Sequence, residues 1–300
     1  MTFQVLTLAI FIHIASMTVM KNIYHRILQT SRPRFRIYEL WPYLIGIVLW
    51  SSQISDLSYI SIVLFGLYFL LPANILIYGI NDIYDYDTDL LNPKKQGYES
   101  VLQPQYRPLI WKSIIITNLP FGILAFVSDW RIWLLWCLFI FFAVGYSTPP
   151  LRAKARPILD MLFSAGHYVT TGVLGYVLVG GSGLHRWVVA AGVLRCMAMH
   201  AYSAIPDIAA DREVGLSTVA TLLWPFATLL LCTLCYAIAS MLIVPHLGWL
   251  VWVIGSVYIG MMLLTFHKFQ DIMKRYRYFP TINMIVGGIL FRLSVYHVRG

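Results

Sequence analysis

One segment constrains the fold of this chain more than any other. The run from Val219 to Val244, VATLLWPFATLLLCTLCYAIASMLIV, contains no charged side chain. About 20 apolar residues are enough for a straight helix to cross the hydrocarbon core of a bilayer. Composition agrees, because 59% of the 300 residues are hydrophobic and 12% are charged, whereas soluble domains carry about 25% charged residues. The chain is therefore predicted to be an integral membrane protein.

Apolar segments of similar length recur along the chain, and the alternating pattern of barrel strands does not. Because the bilayer core admits only helices and closed barrels, the expected fold is all-α: a polytopic bundle of about nine transmembrane helices. The predicted spans are residues 37–51, 59–80, 109–127, 132–146, 157–180, 187–206, 219–244, 248–267 and 280–297. Residues 31–300 are expected to form a single transmembrane domain, after an apolar N-terminal segment and basic lead-in at residues 1–30. Residues 1–19 either form a tenth, peripheral helix or precede a start at Met20.

Basic residues are concentrated in the loops that the predicted spans place on one side of the membrane. Those loops hold Lys94, Lys95, Arg107, Arg152, Lys154, Arg156, Arg212, Lys268, Lys274, Arg275 and Arg277. By the positive-inside rule they face the cytoplasm, together with the lead-in to the first span. The net charge of +9 is therefore interpreted as an orientation signal. Neither a nucleic-acid partner nor an obligate protein partner is expected.

Acidic residues are scarce, and seven of the thirteen fall in two short clusters. The sequence NDIYDYDTD, residues 81–89, lies at the cytoplasmic end of the second span, and DIAADRE, residues 207–213, at the cytoplasmic end of the sixth. Their spacing puts the carboxylates of each cluster on one helix face: Asp82, Asp85 and Asp89 in the first, Asp207 and Asp211 in the second. Like charges at this spacing destabilise a helix, so a bound cation is expected to offset them.

Clustered carboxylates are hard oxygen ligands of the kind that Mg²⁺ uses, and two facing clusters can hold more than one ion around a diphosphate. Lys94, Arg152 and Lys154 lie in neighbouring cytoplasmic loops and could bind the same phosphate oxygens. An allylic prenyl diphosphate would fit such a site, with its polar head at the helix ends and its apolar tail in the bundle. Its ionisation needs a dry pocket with aromatic faces, for which Tyr78 and Tyr146 are candidates.

Among the polar side chains inside predicted spans, four are taken as functional candidates: Asn74, His167, Arg195 and His200. A satisfied hydrogen bond between helices is the alternative explanation for each. His200 precedes Asp207 by seven residues, which places it on the same face and about 10 Å deeper if the helix continues through Pro206. The hypothesis is that His200 lines the substrate pocket below the diphosphate.

With these motifs the chain resembles the UbiA-type intramembrane prenyltransferases, whose NDxxDxxxD and DxxxD motifs are matched by residues 81–89 and 207–211. The resemblance runs from about Ser31 to the C-terminus. It implies that the five aspartates bind Mg²⁺ and diphosphate, and that Asn81 orients the diphosphate or a metal-bound water. Lys94 resembles the basic residue after the first motif, and Tyr146 the tyrosine before the family's basic loop. Arg152 and Lys154 both lie near the family's diphosphate-binding lysine, and the sequence does not choose between them.

Within that family, several stretches look most like the lycopene elongase branch. They are SRPRFRIY, LLPANILIYGINDIYDYDTDLLNPKKQGYE, YSTPPLRAKARP and MAMHAYSAIPDIAADREVGLSTVAT. That branch adds a C5 unit from dimethylallyl diphosphate to the end of a carotenoid. The resemblance therefore implies a lipophilic acceptor such as lycopene, and a prokaryotic plasma membrane with both aspartate motifs on its cytoplasmic side.

Other functions remain open at this stage. An aromatic or quinone-precursor prenyltransferase would use the same metal site, with Arg32, Arg34 and Arg36 available for an acceptor carboxylate. A terpene cyclase of the same family would need no acceptor. A membrane transporter is the alternative of a different class, although transporters place coupling residues near the midplane rather than at helix ends.

Overall fold

The computed structural model describes residues 21, 23–49, 60–91, 95 and 101–299. Residues 1–19 and Lys94 therefore lie outside the described residues. Within these ranges the chain forms helices and no strand. The helices are α1 Ile37–Val48, α2 Ile60–Leu70, α3 Pro72–Tyr84, α4 Tyr86–Leu91, α5 Arg107–Ser128, α6 Trp130–Ser147, α7 Leu159–Leu178, α8 Arg186–Ala204, α9 Ile208–Glu213, α10 Val219–Leu247, α11 Leu250–His267 and α12 Ile272–Arg299.

Seven helical stretches in the described ranges are long and apolar enough to cross a membrane. They are Ile60–Tyr84, Pro104–Ser128, Trp130–Ser147, Arg186–Glu213, Val219–Leu247, Leu250–His267 and Phe269–Tyr296. Helices α1 and α7 coincide with the two remaining predicted spans. Helix α7 is less apolar than those seven stretches because it carries buried polar residues such as Asp160 and His167. The prediction of an all-α integral membrane protein is confirmed, and the count of nine spans stays a prediction.

Two hydrophobic clusters form the interior, and α7 contributes to both. Leu174 packs in one cluster with residues of α1, α2, α3, α5 and α6. Met161, Ala165 and Tyr168 pack in the other with residues of α8, α10, α11 and α12. Helix α7 is therefore the central element of the bundle, which explains why it can hold polar side chains away from lipid.

Glycines bring α1 unusually close to α7. A Cβ atom at Gly46 would overlap the carbonyl oxygen of Gly172, and one at Gly175 would overlap that of Tyr43. Small residues at helix interfaces in membranes allow backbones to approach in this way. The consequence is that side chains near the start of α1 reach side chains in the middle of α7.

Helix breaks position both aspartate clusters. Helix α3 ends at Tyr84, Asp85 has φ −108° and ψ 10°, and α4 starts at Tyr86. The assumption of one continuous helix from Asp82 to Asp89 is therefore wrong, although the Asp89 amide still donates to the Asp85 carbonyl at 2.7 Å. Helix α8 likewise ends at Ala204, because Pro206 lies in a 3-10 turn that leads into α9.

Candidate active site

Both aspartate clusters face one cavity of about 240 Å³ at one end of the bundle. The short helices α4 and α9 pack against each other and so bring the clusters together. Of the residues expected from sequence, the cavity is lined by Tyr78, Asn81, Asp85, Asp89, Tyr146, Lys154, His200, Asp207 and Asp211. Asp82 lies behind this wall, and Arg152 is not part of it. Lys94 cannot be placed, since it lies outside the described residues.

Two cations, the buried Lys95 and the partly exposed Arg32, hold the first cluster together. The ammonium of Lys95 lies 2.7 Å from Asp82 Oδ1 and 3.0 Å from Asp89 Oδ2, and the guanidinium of Arg32 lies 2.9 Å from Asp82 Oδ1. Asp82, Asp89 and Lys95 are all buried. Arg32 also packs over the ring of Tyr78, 4.7 Å from its centroid. From sequence, Lys95 was not expected to be a site residue. Arg32 was expected either to set the orientation in the membrane or to bind an acceptor carboxylate.

Asp85 occupies the centre of the site. It accepts a hydrogen bond from the Asn81 side-chain amide and pairs with the ammonium of Lys154. The Asn81 amide also lies 3.3 Å from the Ser147 hydroxyl, at the end of α6. Lys154 is therefore the basic residue of its loop that reaches the carboxylates. The preceding Arg152 has a left-handed backbone, with φ 39°, at the start of the 3-10 turn that carries Lys154.

Burial changes the protonation of two groups in this site. Burial raises the pKa of Asp89 to about 6, against the opposing effect of the Lys95 ammonium. Burial lowers the pKa of Lys154 to about 7, against the carboxylates of Asp211 and Asp82. A cation beside Asp89 would favour its ionised form, and an anion beside Lys154 would favour its charged form. Both groups are therefore poised to gain charge when oppositely charged ligands bind.

The donor set fits a metal-bound diphosphate. Within the described ranges, no three Asp, Glu, His or Cys side chains converge closely enough to hold a metal ion by themselves. Four of the five aspartates nevertheless provide hard oxygen ligands at one cavity, with Asp82 behind its wall, and Mg²⁺ is usually held by one or two carboxylates together with water and substrate phosphate. Lys95, Lys154 and Arg32 stand among these carboxylates and can bind phosphate oxygens.

Tyr146 and His200 meet at the wall between the carboxylates and the apolar interior. Their rings pack edge to face with centroids 5.7 Å apart. His200 Nε2 lies 3.7 Å from Asp160 Oδ2, which also accepts the Val219 amide at 2.8 Å and so anchors the start of α10. Asp160 is fully buried. The distance to His200 is longer than a hydrogen bond, so Asp160 is first of all a helix anchor.

A further carboxylate beside the cavity, that of Glu39, was not expected from sequence. Glu39, in the first turn of α1, lies 2.7 Å from Nδ1 of His167, and His167 lines the cavity. The signal was available, because Glu39 is the one acidic residue in the predicted span 37–51. Its partner was not predictable, since the two residues are 128 positions apart.

An apolar cavity of about 190 Å³ lies on the other side of Tyr168, which lines both cavities. Its wall is formed by α1, α7, α8, α10, α11 and α12 and includes Ile45, Val173, Val189 and Ile243. Among the described residues no acidic side chain lines it, and the one charged side chain there is Arg195, which donates to the Tyr258 hydroxyl at 2.8 Å. The chemistry therefore belongs to the polar cavity, and the apolar cavity offers space for hydrocarbon.

Comparisons with known proteins agree with this geometry. The sequence profile of the UbiA prenyltransferase family matches residues 40–292. The lycopene elongase/hydratase of Haloferax volcanii is 35% identical over 274 residues, which cover 88% of this chain and 88% of that protein. The protein of the same name from Halobacterium salinarum is 36% identical over 270 residues, 86% of this chain and 93% of that one. The one from Corynebacterium glutamicum is 30% identical over 280 residues, 90% and 96%.

Solved structures share the fold. A UbiA homologue from Archaeoglobus fulgidus, bound to DMAPP and Mg²⁺, matches with a TM-score of 0.69 and 19% identity, covering 91% of this chain and 98% of that one. The apo UbiA homologue from Aeropyrum pernix K1 matches with a TM-score of 0.66 and 20% identity, covering 88% and 98%.

Proposed function

The chain belongs to the UbiA prenyltransferase family and is a membrane-bound prenyltransferase, and from that premise we propose its reaction. It transfers a C5 dimethylallyl group from dimethylallyl diphosphate to a lipophilic acceptor, lycopene or a related carotenoid, in a Mg²⁺-dependent reaction. The observation that carries the proposal is the cavity itself. Acidic and basic side chains line its outer part, and Tyr168, Met199 and Phe279 line its inner part. The names of the relatives, lycopene elongase/hydratase, support the acceptor class.

The charged residues at and next to the cavity have proposed roles. Asp82, Asp85, Asp89, Asp207 and Asp211 hold Mg²⁺, which when bound neutralises the charge that develops on the departing diphosphate. Lys154, Lys95 and Arg32 bind the diphosphate oxygens, and Asn81 orients the Asp85 carboxylate by its hydrogen bond. Lys154 is proposed in preference to Arg152, because Lys154 reaches the cavity. The role of Lys94 rests on the family resemblance alone.

The inner wall excludes water from the allyl cation. When the carbon–oxygen bond breaks, its electron pair leaves with the diphosphate, and a dry pocket prevents quenching of the cation. Tyr146 and Tyr78 lie next to the carboxylates and present ring faces that stabilise positive charge. One face of Tyr78 already carries Arg32, so Tyr146 is the better placed of the two.

The apolar cavity beyond Tyr168 supports a long hydrocarbon acceptor. An aromatic acid would need only the polar cavity and a nearby cation, whereas a carotenoid extends well beyond the reacting end. Because Tyr168 borders both cavities, a movement of this ring would join them into one channel. We therefore favour the carotenoid over the aromatic acceptor and over the cyclase, which needs no second substrate.

The proposed orientation places the aspartate end in the cytoplasm. The basic loop residues Lys95, Lys154 and Arg212 lie at the end of the bundle that holds both clusters, as the positive-inside rule requires. A prokaryotic plasma membrane is the proposed location. Dimethylallyl diphosphate would then enter from the aqueous side, and the carotenoid from the bilayer.

Purified protein supplied with isotope-labelled dimethylallyl diphosphate, Mg²⁺ and lycopene is expected to form lycopene derivatives heavier by one or two C5 units. Mass spectrometry of the extracted lipids measures them, and omission of Mg²⁺ is expected to abolish them. A labelled hydrocarbon formed without lycopene would instead identify a cyclase. If lycopene gives no product and an aromatic acid supplied in its place becomes labelled, the acceptor is aromatic.

Mg²⁺ and the diphosphate are expected to stabilise the fold together by more than the sum of their separate effects. The carboxylates repel one another without a metal, and the diphosphate repels the carboxylates unless a metal lies between them. A ligand at 100 times its dissociation constant adds about 2.7 kcal/mol to the free energy of unfolding. The measurement is the melting temperature with Mg²⁺, with dimethylallyl S-thiolodiphosphate, which ionises poorly, and with both. A shift with both that merely equals the sum of the separate shifts would contradict this coupling.

A further inference from the structure

Glu39 and His167 form a buried carboxylate–imidazole pair inside the bundle. Glu39 Oε1 lies 2.7 Å from His167 Nδ1, and both residues are at least nine-tenths buried. The second carboxylate oxygen of Glu39 has no hydrogen-bond partner among the described residues. Ionisable side chains at membrane depth are costly and are retained chiefly where they serve a function. Two uncharged side chains could form a hydrogen bond between these helices at lower cost. The use of two ionisable side chains therefore points to a chemical role for the pair.

The pair is directed at the substrate cavity through its histidine. His167 lines the cavity and Glu39 does not, so the imidazole stands between the carboxylate and the substrate space. The rings of Phe139 and Tyr168 border the imidazole, with centroids 6.5 Å and 4.2 Å away. A carboxylate beside Nδ1 favours the tautomer with hydrogen on Nδ1, which leaves the lone pair on Nε2. An imidazole with its Nε2 lone pair available can act as a general base.

The depth of His167 suits the second half of the reaction. His167 follows Asp160 by seven residues on α7, which corresponds to about 10 Å along the helix axis. Asp160 lies at the level of Tyr146 and His200, next to the aspartate clusters. His167 is therefore placed below the diphosphate, where the acceptor carbons would meet the C5 unit.

The alternative histidine is less suited to act as a base. His200 lines the same cavity, but its carboxylate neighbour Asp160 is 3.7 Å away. Asp160 Oδ2 also accepts the Val219 amide and thereby holds the start of α10. The Glu39–His167 pair has the shorter contact and no such structural task for its carboxylate.

We propose that His167 is the general base that ends the reaction, with Glu39 as the residue that positions it. The inference rests on the proposed function. The acceptor double bond attacks C1 of the dimethylallyl cation, a carbon–carbon bond forms, and a tertiary cation remains on the acceptor. His167 Nε2 takes a proton from a neighbouring carbon, and the electron pair of that carbon–hydrogen bond becomes a new double bond. The Glu39 carboxylate compensates the charge of the imidazolium, which then returns its proton to water or to the released diphosphate.

The test separates ionisation of the donor from formation of the carotenoid product. In His167→Gln, we expect the elongated carotenoid to fall at least about 100-fold, since general bases contribute about 10²- to 10⁴-fold. Mg²⁺-dependent diphosphate release is expected to continue, uncoupled from formation of the elongated carotenoid, because ionisation of the donor precedes the step that needs the base. Glu39→Gln is expected to lose less product than His167→Gln. Its kinetic isotope effect, measured with an acceptor deuterated at the carbons that lose a proton, is expected to be larger than that of the wild type. His185→Gln, the same change at an exposed position outside the cavity, serves as the matched control.

Each outcome decides between the proposals. If His167→Gln makes elongated carotenoid at the wild-type rate, or if diphosphate release and product fall in equal proportion in both His167→Gln and His167→Asn with the melting temperature preserved, the base assignment is overturned. An unchanged isotope effect in Glu39→Gln would remove its positioning role. If the wild-type protein releases diphosphate but makes no elongated carotenoid, the proposed function fails, and that result is visible before any variant is compared.

Discussion

An Asp85→Asn variant is expected to lose Mg²⁺-dependent diphosphate release by about 10³-fold or more, equivalent to about 4 kcal/mol of transition-state stabilisation. Asp85 lines the cavity between Asn81 and Lys154, so its charge acts at the centre of the site. A single well-placed electrostatic contact is worth about 10²- to 10³-fold in other enzymes, and loss of a metal ligand also weakens metal binding. The rate of diphosphate release at saturating dimethylallyl diphosphate measures the effect.

The variant is expected to remain folded. Removing the Asp85 charge leaves Lys154 without its closest carboxylate, and an unpaired buried cation would be strongly destabilising. Burial already lowers the pKa of Lys154 to about 7, so this side chain can become neutral in the variant. Retention of the wild-type melting temperature, within a few degrees, would show that the loss of rate is catalytic.

Asp87→Asn provides a control within the same motif. Asp87 is exposed, whereas Asp82, Asp85 and Asp89 are buried, although all four lie within eight residues of sequence. The chemical change is identical, and we expect diphosphate release within about twofold of the wild type, as for other exposed substitutions. Equal losses in Asp85→Asn and Asp87→Asn would contradict the metal assignment and point to a general effect of charge at this end of the bundle.

The fold was largely predictable from sequence because the bilayer leaves few options. Apolar runs such as Val219–Val244 can only be spanning helices, and α10, Val219–Leu247, covers that run. Helix α7 was predicted from the length of its segment, although polar residues lower its hydropathy. The bundle tolerates these residues because they are buried inside it. The break at Asp85 was not predicted, since spacing alone cannot show where a helix changes direction.

The position of the two aspartate clusters was predictable from their spacing and from the charge of the loops. Both aspartate clusters were expected at one end of the bundle, and α4 and α9 do pack together. The side chains that complete the site were less accessible to sequence reasoning. Lys95 contacts both Asp82 and Asp89, and Glu39 meets His167 only because Gly46, Gly172 and Gly175 let α1 approach α7. Such contacts depend on loop paths and helix packing, which one sequence does not encode locally.

The loop after α6 holds the basic residues between which the sequence could not choose. Lys154 is buried, lines the cavity and pairs with Asp85, whereas Arg152 is outside the cavity wall. A diphosphate beside Lys154 would favour its ammonium form and gain a charge-assisted hydrogen bond. Arg156 is exposed and donates to the Pro150 carbonyl at 3.0 Å, so it reports the general effect of removing a positive charge from this loop.

Lys154→Gln is therefore expected to lower kcat/KM for dimethylallyl diphosphate by about 10²- to 10³-fold, the size typical of a lost contact to a developing anion. Arg152→Gln and Arg156→Gln are expected to lower it by less than about fivefold, since neither residue lines the cavity. Steady-state diphosphate release over a range of donor concentrations gives both kcat and KM. If Arg152→Gln has the larger effect, the diphosphate lies nearer the outer part of the loop than the cavity implies, and Lys154 serves only to neutralise Asp85. If Lys154→Gln loses kcat/KM and Lys154→Arg restores a large part of it, positive charge at this position is what the diphosphate requires.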